Sequence, residues 1–442
     1  MTQISRFRIS GFKGIDEIEM ETGDFTLITG KNNAGKTSLM ESIDLLFNPE
    51  NIRKFGSQVD SLINAKHSTC SLSCEYWTDP QASLGDFDNA NGKVSNINTR
   101  EVGIREPKER ELVDFFVECV LSIISNSPGS QLYIDRFQQE ELLEEEGEQV
   151  SEIITETLRN TVTNLSERDL IPRIDGNAVV ISVNGDEFPF IYLGDYYDEI
   201  RSHIVERAKN KVIARFESEI QAEALENQEN IDRALNDKLI PRFGSGRFVN
   251  GKPPQIEGVK LLSGSISLSP NEINQNRRNA AVRLSNIAEY MKQNSIAENL
   301  VSLSTDQLVF KEDGEKYQVP YDFMGSGFQA ITGLLWELSD PARQGDVLLL
   351  EEAETHMHPG YVTKLVYRLI EIMMSEDIQV FATTHNIDFI RSFFSENIQE
   401  NELSYLENEF KLLQLSQPIE QVYDYDQAQH HLEELQLDLR GL

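Results

Sequence analysis

Cysteine is nearly absent from this sequence. Its 442 residues contain three, Cys70, Cys74 and Cys119. An odd, sparse set with no CxxC pair supports neither a disulfide framework nor a structural zinc site. Reduced, partly buried thiols in a reducing compartment are the expectation. Long apolar runs are missing too, and none is long enough to cross a bilayer. The opening MTQISRFRISGFKGIDEIEM lacks the charged lead, apolar stretch and small-residue cleavage site of a secretory signal. The expected location is therefore the cytoplasm, with no membrane partner. Basic charge is short as well: 40 Lys and Arg face 74 Asp and Glu, a formal net charge of −34. Such a chain repels polyphosphate at long range, so it does not read as a general DNA-coating protein. Two readings of the acidity stay open. It can be solvation in a salt-rich cytoplasm, where screening shortens the repulsion, or a surface that meets basic partners.

What is present suits a globular chain. Hydrophobic residues make up 39% and charged residues 26%, and the length allows two or three domains. Strands are expected over Ile4–Ile9, Ile15–Glu21 and Phe25–Thr29, then a helix from Lys36 to Phe47 with Leu39, Ile43 and Leu46 on one face. A strand over Thr69–Trp77 follows, and Asn, Gly and Asp cluster at Gly85–Gly92 as a boundary. Val113–Ile123 and Gln131–Phe137 read as core strands or a short helix, and Glu140–Glu148 as a solvated acidic face. A hairpin turns at Asn184-Gly185. Tyr196–Leu239 has neither Gly nor Pro and predicts one long helix or two stacked ones, and Asn271–Val301 predicts another helical stretch. From Gln307 the chain alternates strands and amphipathic helices, the signature of a parallel sheet covered on both faces. The expected domains are an N-terminal lobe, 1–85, a mainly helical insert or arm, 86–304, a C-terminal lobe, 305–415, and a tail helix, 416–442.

The strongest motif is Gly30-Lys31-Asn32-Asn33-Ala34-Gly35-Lys36-Thr37-Ser38, a full GxxxxGK[ST] match between a strand and a helix. Its backbone amides can cradle phosphate oxygens at a helix start. Lys36 would neutralise the β- and γ-phosphates, and Thr37 would take one Mg²⁺ position. Next is Val347-Leu348-Leu349-Leu350-Glu351-Glu352, which ends a buried strand in two carboxylates at the edge where open α/β sheets bind ligands. Glu351 is expected in the Mg²⁺ shell and Glu352 as general base. A core strand running into a solvated acidic turn would look the same alone; the pairing with the phosphate loop favours the functional reading. His385, after Val380-Phe381-Ala382-Thr383-Thr384, is placed to meet a γ-phosphate oxygen. Met324-Gly325-Ser326-Gly327-Phe328-Gln329 opens a helix and offers Ser326 and Gly327 to an anion, though locally it is also a plain N-cap.

In this order the motifs resemble those of ABC-type ATPases of the AAA family. The runs Phe7-Arg8-Ile9-Ser10-Gly11-Phe12-Lys13 and Glu354-Thr355-His356-Met357-His358-Pro359 are similar to the SMC, RecF and OLD group, over about residues 1–80 and 305–400. The resemblance implies an α/β P-loop NTPase head with a mostly parallel sheet, interrupted by the insert. It also implies ATP and Mg²⁺ as cofactors and two heads sandwiching two nucleotides as a homodimer or higher oligomer. Ser326 and Gly327 would then touch the γ-phosphate held by the partner head. The signature reads GSGFQ rather than Ser-Gly-Gly-Gln. Gln58 and Gln81 are the candidates for the family's glutamine loop. Residues 386–442 are too short for the TOPRIM nuclease of OLD enzymes, so a nuclease or toxin effector is expected on a separate chain. The function this implies is a nucleotide-driven, ATP-hydrolysing switch in genome maintenance or anti-phage defence. A repair ATPase that binds DNA directly and an ATP-holding scaffold with negligible turnover are the alternatives.

Overall fold

Period-two burial along the opening residues sets the first pairing. β1 (Thr2–Phe12) buries Ile4, Phe7 and Ile9 and pairs antiparallel with β2 (Ile15–Glu21), which alternates likewise. Wholly buried β3 (Phe25–Gly30) leads into α1 (Lys36–Phe47), and β4 (Thr69–Thr78) pairs with the other edge of β1. Then come β5 (Ile97–Arg105), α2 (Glu109–Asn126), α3 (Glu144–Thr163), β6 (Ala178–Val183) and β7 (Asp186–Tyr192). These lead to α4 (Tyr196–Glu219), α5 (Gln228–Lys238), β8 (Gly246–Phe248) and β9 (Val259–Ser263). The chain continues through α6 (Ala280–Gln293), β10 (Leu300–Leu303), β11 (Gln307–Glu312), β12 (Glu315–Pro320) and α7 (Ser326–Leu338). Next are β13 (Val347–Glu351), α8 (Pro359–Glu376), β14 (Gln379–Thr383) and α9 (Ile387–Ser392). Last come α10 (Glu400–Glu409), β15 (Phe410–Leu415), β16 (Gln421–Asp424) and α11 (Tyr425–Glu433). The computed structural model describes residues 2–78, 97–126, 144–165, 170, 174, 176–194, 196–219, 228–240, 246–263, 268, 279–339, 346–376, 378–416 and 420–433. Among them no helix is long and apolar enough to cross a membrane.

The chain divides into two units, one of residues 1–48, 71–101 and 255–442, the other of 49–70 and 102–254. The first holds a six-stranded sheet in the order β16-β15-β3-β14-β13-β9, parallel throughout except for β16. Parallel strands covered by helices on both faces need apolar side chains on both, and β3, β13 and β14 meet that need over nearly their whole lengths. Phe25, Phe393 and Phe410 cluster against the sheet with ring centroids 4.5–5.8 Å apart. The guanidinium of Arg283 on α6 lies 3.7 Å from the Trp336 ring centroid on α7. One side chain sews β1 to this sheet. The buried Gln379 amide accepts from Ile4 N–H at 2.8 Å and donates to Ile4 O at 2.8 Å and Gly23 O at 2.9 Å. The amide thereby acts as a rung of ladder that the backbones do not make.

In the second unit α2, α3, α4 and α5 share one core with Phe116, Leu158, Tyr197 and Leu235. There β6 and β7 form the expected hairpin, with Asn184 at φ 51° and Gly185 at φ 94°, the backbone that a two-residue primed turn requires. The stretch read as one long helix or two is two, α4 and α5. Val113–Ile123 is helical, inside α2, because its apolar residues recur at helical spacing and bury Phe116, Val120 and Ile123 together. Gly85–Gly92 and Gln131–Phe137 lie outside the described residues.

The two units divide the chain differently from the expected lobes and insert. Residues 255–304 belong with the first unit, because β9 adds to β13 as a parallel edge strand and α6 shares the core of α7. The sequence 259–263 is too short to announce a strand without its partner. The tail also differs: the chain forms β16 against β15 before α11 begins at Tyr425.

Candidate functional site

Parallel order puts the C-terminal ends of β3, β13 and β14 at one edge. Register makes the placement specific: Glu351 stands opposite Thr383, and Thr383 opposite Ile28. β3 ends at Gly30, where φ is 150° and an added Cβ would meet Leu415 O at 2.6 Å. Only glycine fits there. The chain then turns through Asn33 at φ 65° to Gly35 at φ 102°, the N-cap of α1. That cap supplies no side-chain hydrogen bond, so the first amides of a 12-residue helix are left to a ligand or solvent, at its positive end. Lys31, Asn32 and Asn33 are exposed around this opening, Ala34, Gly35 and Ser38 half-buried. Lys36 is buried, and its ammonium donates to Gly30 O at 2.9 Å and Lys31 O at 3.2 Å. Burial lowers its pKa, and the carboxylates of Glu352 and Glu354 oppose that shift.

Thr37 and Glu351 lie 314 positions apart in sequence, yet the Thr37 hydroxyl donates to Glu351 Oε1. Glu352, the next residue, adopts φ 46°, a left-handed conformation rare for a side chain with a Cβ. Its N–H donates to Thr383 O and to Thr383 Oγ1, each at 3.1 Å, which holds the turn against β14. Glu352 Oε1 and His385 Nδ1 are 3.1 Å apart. Behind them Glu354 is buried and accepts from the Thr384 hydroxyl.

The structure thus brings together Lys36, Thr37, Glu351, Glu352 and His385 on the edge of one sheet. Ser326 lies exposed at the start of α7 and takes no part in those contacts. Gly327 is placed by packing: a Cβ there would meet His356 O at 2.5 Å, so its missing side chain lets α7 approach the turn beyond the acidic pair. Gln58 is exposed in the second unit, and Gln81 lies outside the described residues. The sequence pattern assigned no role of their own to Thr383, Thr384 and Glu354. Two adjacent threonines before a histidine at a strand end were the visible signal, but strand residues rich in Thr are ordinary.

The AAA ATPase domain profile matches residues 3–390. The chain belongs to that family. No curated protein matches. Among solved structures the chain is similar to the Smc head domain with an extended coiled coil bound to the C-terminal domain of ScpA, from Pyrococcus furiosus. That match has 14% identity and a TM-score of 0.43, and covers 99% of this chain and 100% of that one. It is similar also to the SMC head domain of Thermotoga maritima, at 9% identity and a TM-score of 0.40, covering 96% and 98%. The Smc head domain with a coiled coil and joint from Pyrococcus yayanosii matches at 11% and 0.42, covering 99% and 100%.

The donor set of this AAA ATPase fits the ligand pair of its family. The bare N-terminus of α1 and the loop glycines suit polyphosphate oxygens. For Mg²⁺, a hard cation that keeps several waters, a hydroxyl and a carboxylate side by side are the donors expected, and Thr37 with Glu351 supplies them. The Glu352 and Glu354 carboxylates, both in the turn after β13, oppose the downward shift that burial gives the Lys36 ammonium.

Proposed function

We propose that this AAA ATPase hydrolyses ATP and works as a nucleotide-driven switch. The observation that carries the reading is the Thr37–Glu351 hydrogen bond, with the Glu352–His385 pair beside it. On binding, Lys36 exchanges its two loop carbonyls for β- and γ-phosphate oxygens. Thr37 and Glu351 would hold Mg²⁺, which would supply neutralisation of the phosphate charge. Glu352 then accepts a proton from the water that attacks the γ-phosphorus, with the bond to the leaving oxygen in line. His385, fixed at Glu352, donates to a γ-phosphate oxygen and registers its departure. Ser326 and Gly327 of a second copy approach the same phosphate, so that heads close as a homodimer or higher oligomer while ATP is bound. Opening after hydrolysis is the signal. The setting is cytoplasmic genome maintenance or anti-phage defence, with a nuclease or toxin effector on another chain.

Phosphate release from wild type and Glu352→Gln tests this directly. Loss of a general base predicts a fall of at least about 10²-fold, with ATP still retained. Sizing of Glu352→Gln with and without Mg-ATP should show assembly only with nucleotide. Equal release rates would remove the hydrolytic switch and leave an ATP-holding scaffold.

A further inference from the structure

One buried carboxyl behind the site takes no proton and holds no phosphate in that scheme. Glu354 is 3% exposed. One oxygen accepts from the Thr384 hydroxyl, and Oε2 has no protein partner. Burying a carboxyl with half its hydrogen-bonding capacity unmet is costly, so the residue is held there by what it does for its neighbours.

Thr384 shows what that is. Its side chain is fully buried, and its Oγ1 also accepts from the Asn386 N–H at 2.9 Å. Its own N–H donates to Ile28 O at 2.9 Å. One hydroxyl therefore fixes the residues on both sides of His385, and Glu354 fixes that hydroxyl. Thr383 performs the matching task one residue earlier, where its O and Oγ1 receive the Glu352 N–H. Two consecutive threonines thus clamp the acidic turn, at residues 352 and 354, to the loop that carries the histidine. The imidazole itself is 54% exposed, and a side chain so placed keeps its rotamer freedom unless the backbone that carries it is held.

We propose that Glu354, acting through Thr384, is a positioning residue that sets the His385 ring against Glu352. The kinetic consequence rests on the hydrolytic reading above; the placement rests on geometry alone. What the clamp needs at 354 is an acceptor. An amide supplies one and an apolar side chain does not. Burial pushes the carboxyl pKa upward, against the opposing Thr384 hydrogen bond.

The test uses Thr384→Val, Glu354→Leu and Glu354→Gln in the full chain, with and without His385→Ala. Thr384→Val and Glu354→Leu should lower the turnover number about 10- to 100-fold, as a displaced catalytic group does, with ATP affinity within about twofold of wild type. Glu354→Gln should restore most of the rate. In the His385→Ala background Thr384→Val should cost nothing further, because a residue that acts through another shows full coupling to it. Histidine-selective carbon NMR of nucleotide-free protein provides a readout that needs no hydrolysis. The His385 Cε1 resonance, assigned by its loss in His385→Ala, should move in Thr384→Val and Glu354→Leu and stay in Glu354→Gln. An unmoved resonance in Thr384→Val, or an undiminished effect of that change without His385, would overturn the proposal. A wild type that releases no phosphate would defeat the hydrolytic reading instead, and the resonance alone would then decide the placement.

Discussion

At the residue scale the site is a set of polar groups at different depths, and depth has consequences for pH. Burial raises the Glu354 pKa above its ordinary 4.5, against the opposing Thr384 hydrogen bond. The folded chain thus binds that proton more tightly than the unfolded chain. The stability it contributes is complete below the ordinary value and is lost as pH rises through the raised one. Glu354→Gln keeps the shape and cannot ionise. Its thermal midpoint, relative to wild type, should therefore climb as pH goes from 4.5 to neutral. Calorimetry across that range checks it, and a difference independent of pH would refute it. The sequence singled out Lys36, Thr37, Glu351, Glu352 and His385, each near the C-terminal end of β3, β13 or β14. It did not disclose Thr383, Thr384, Glu354 or Gln379, since their partners lie across strand pairings that no local pattern encodes.

At the element scale, what local chemistry controls was legible and what pairing controls was not. The hairpin at Asn184-Gly185 and the one at Asp313-Gly314 carry their turn residues in sequence, with Asp313 at φ 49° and Gly314 at φ 90°. By contrast β9 exists because β13 offers it an edge, and its five residues predict nothing alone. The start of α7 shows the same division. Gly325 and Gly327 look equivalent in sequence, yet a Cβ on Gly325 meets nothing within 4 Å and one on Gly327 meets His356 O at 2.5 Å. Gly327→Ala should cost about 1–3 kcal/mol, the ordinary effect of overpacking against backbone. Gly325→Ala should stay within about 1 kcal/mol, the difference between these residues at an N-cap. Urea midpoints of the two variants make the comparison. Equal costs would mean that α7 can slide away from the His356 turn without strain.

At the scale of the whole molecule the governing quantity is charge. A net −34 spread over 442 residues makes the native state repel itself. Opposing that, Arg6 and Arg8 on β1 pair with Glu17, Glu19 and Glu21 on β2. These side chains are about half exposed, and pairs of that kind contribute at most about 1 kcal/mol each. Salt weakens both effects, so the sign of the response tells which is larger. Surface pairs act over a few ångströms, whereas the excess of like charge acts over tens. Screening from about 30 Å at 0.01 M to about 8 Å at 0.15 M therefore removes far more repulsion than attraction. The thermal midpoint should rise over that interval of sodium chloride and then flatten. Circular dichroism melts in sodium chloride, repeated in choline chloride to separate screening from sodium binding, measure it. A midpoint that falls with salt would show that the paired surface of β1 and β2, rather than the net charge, dominates the electrostatics of this chain.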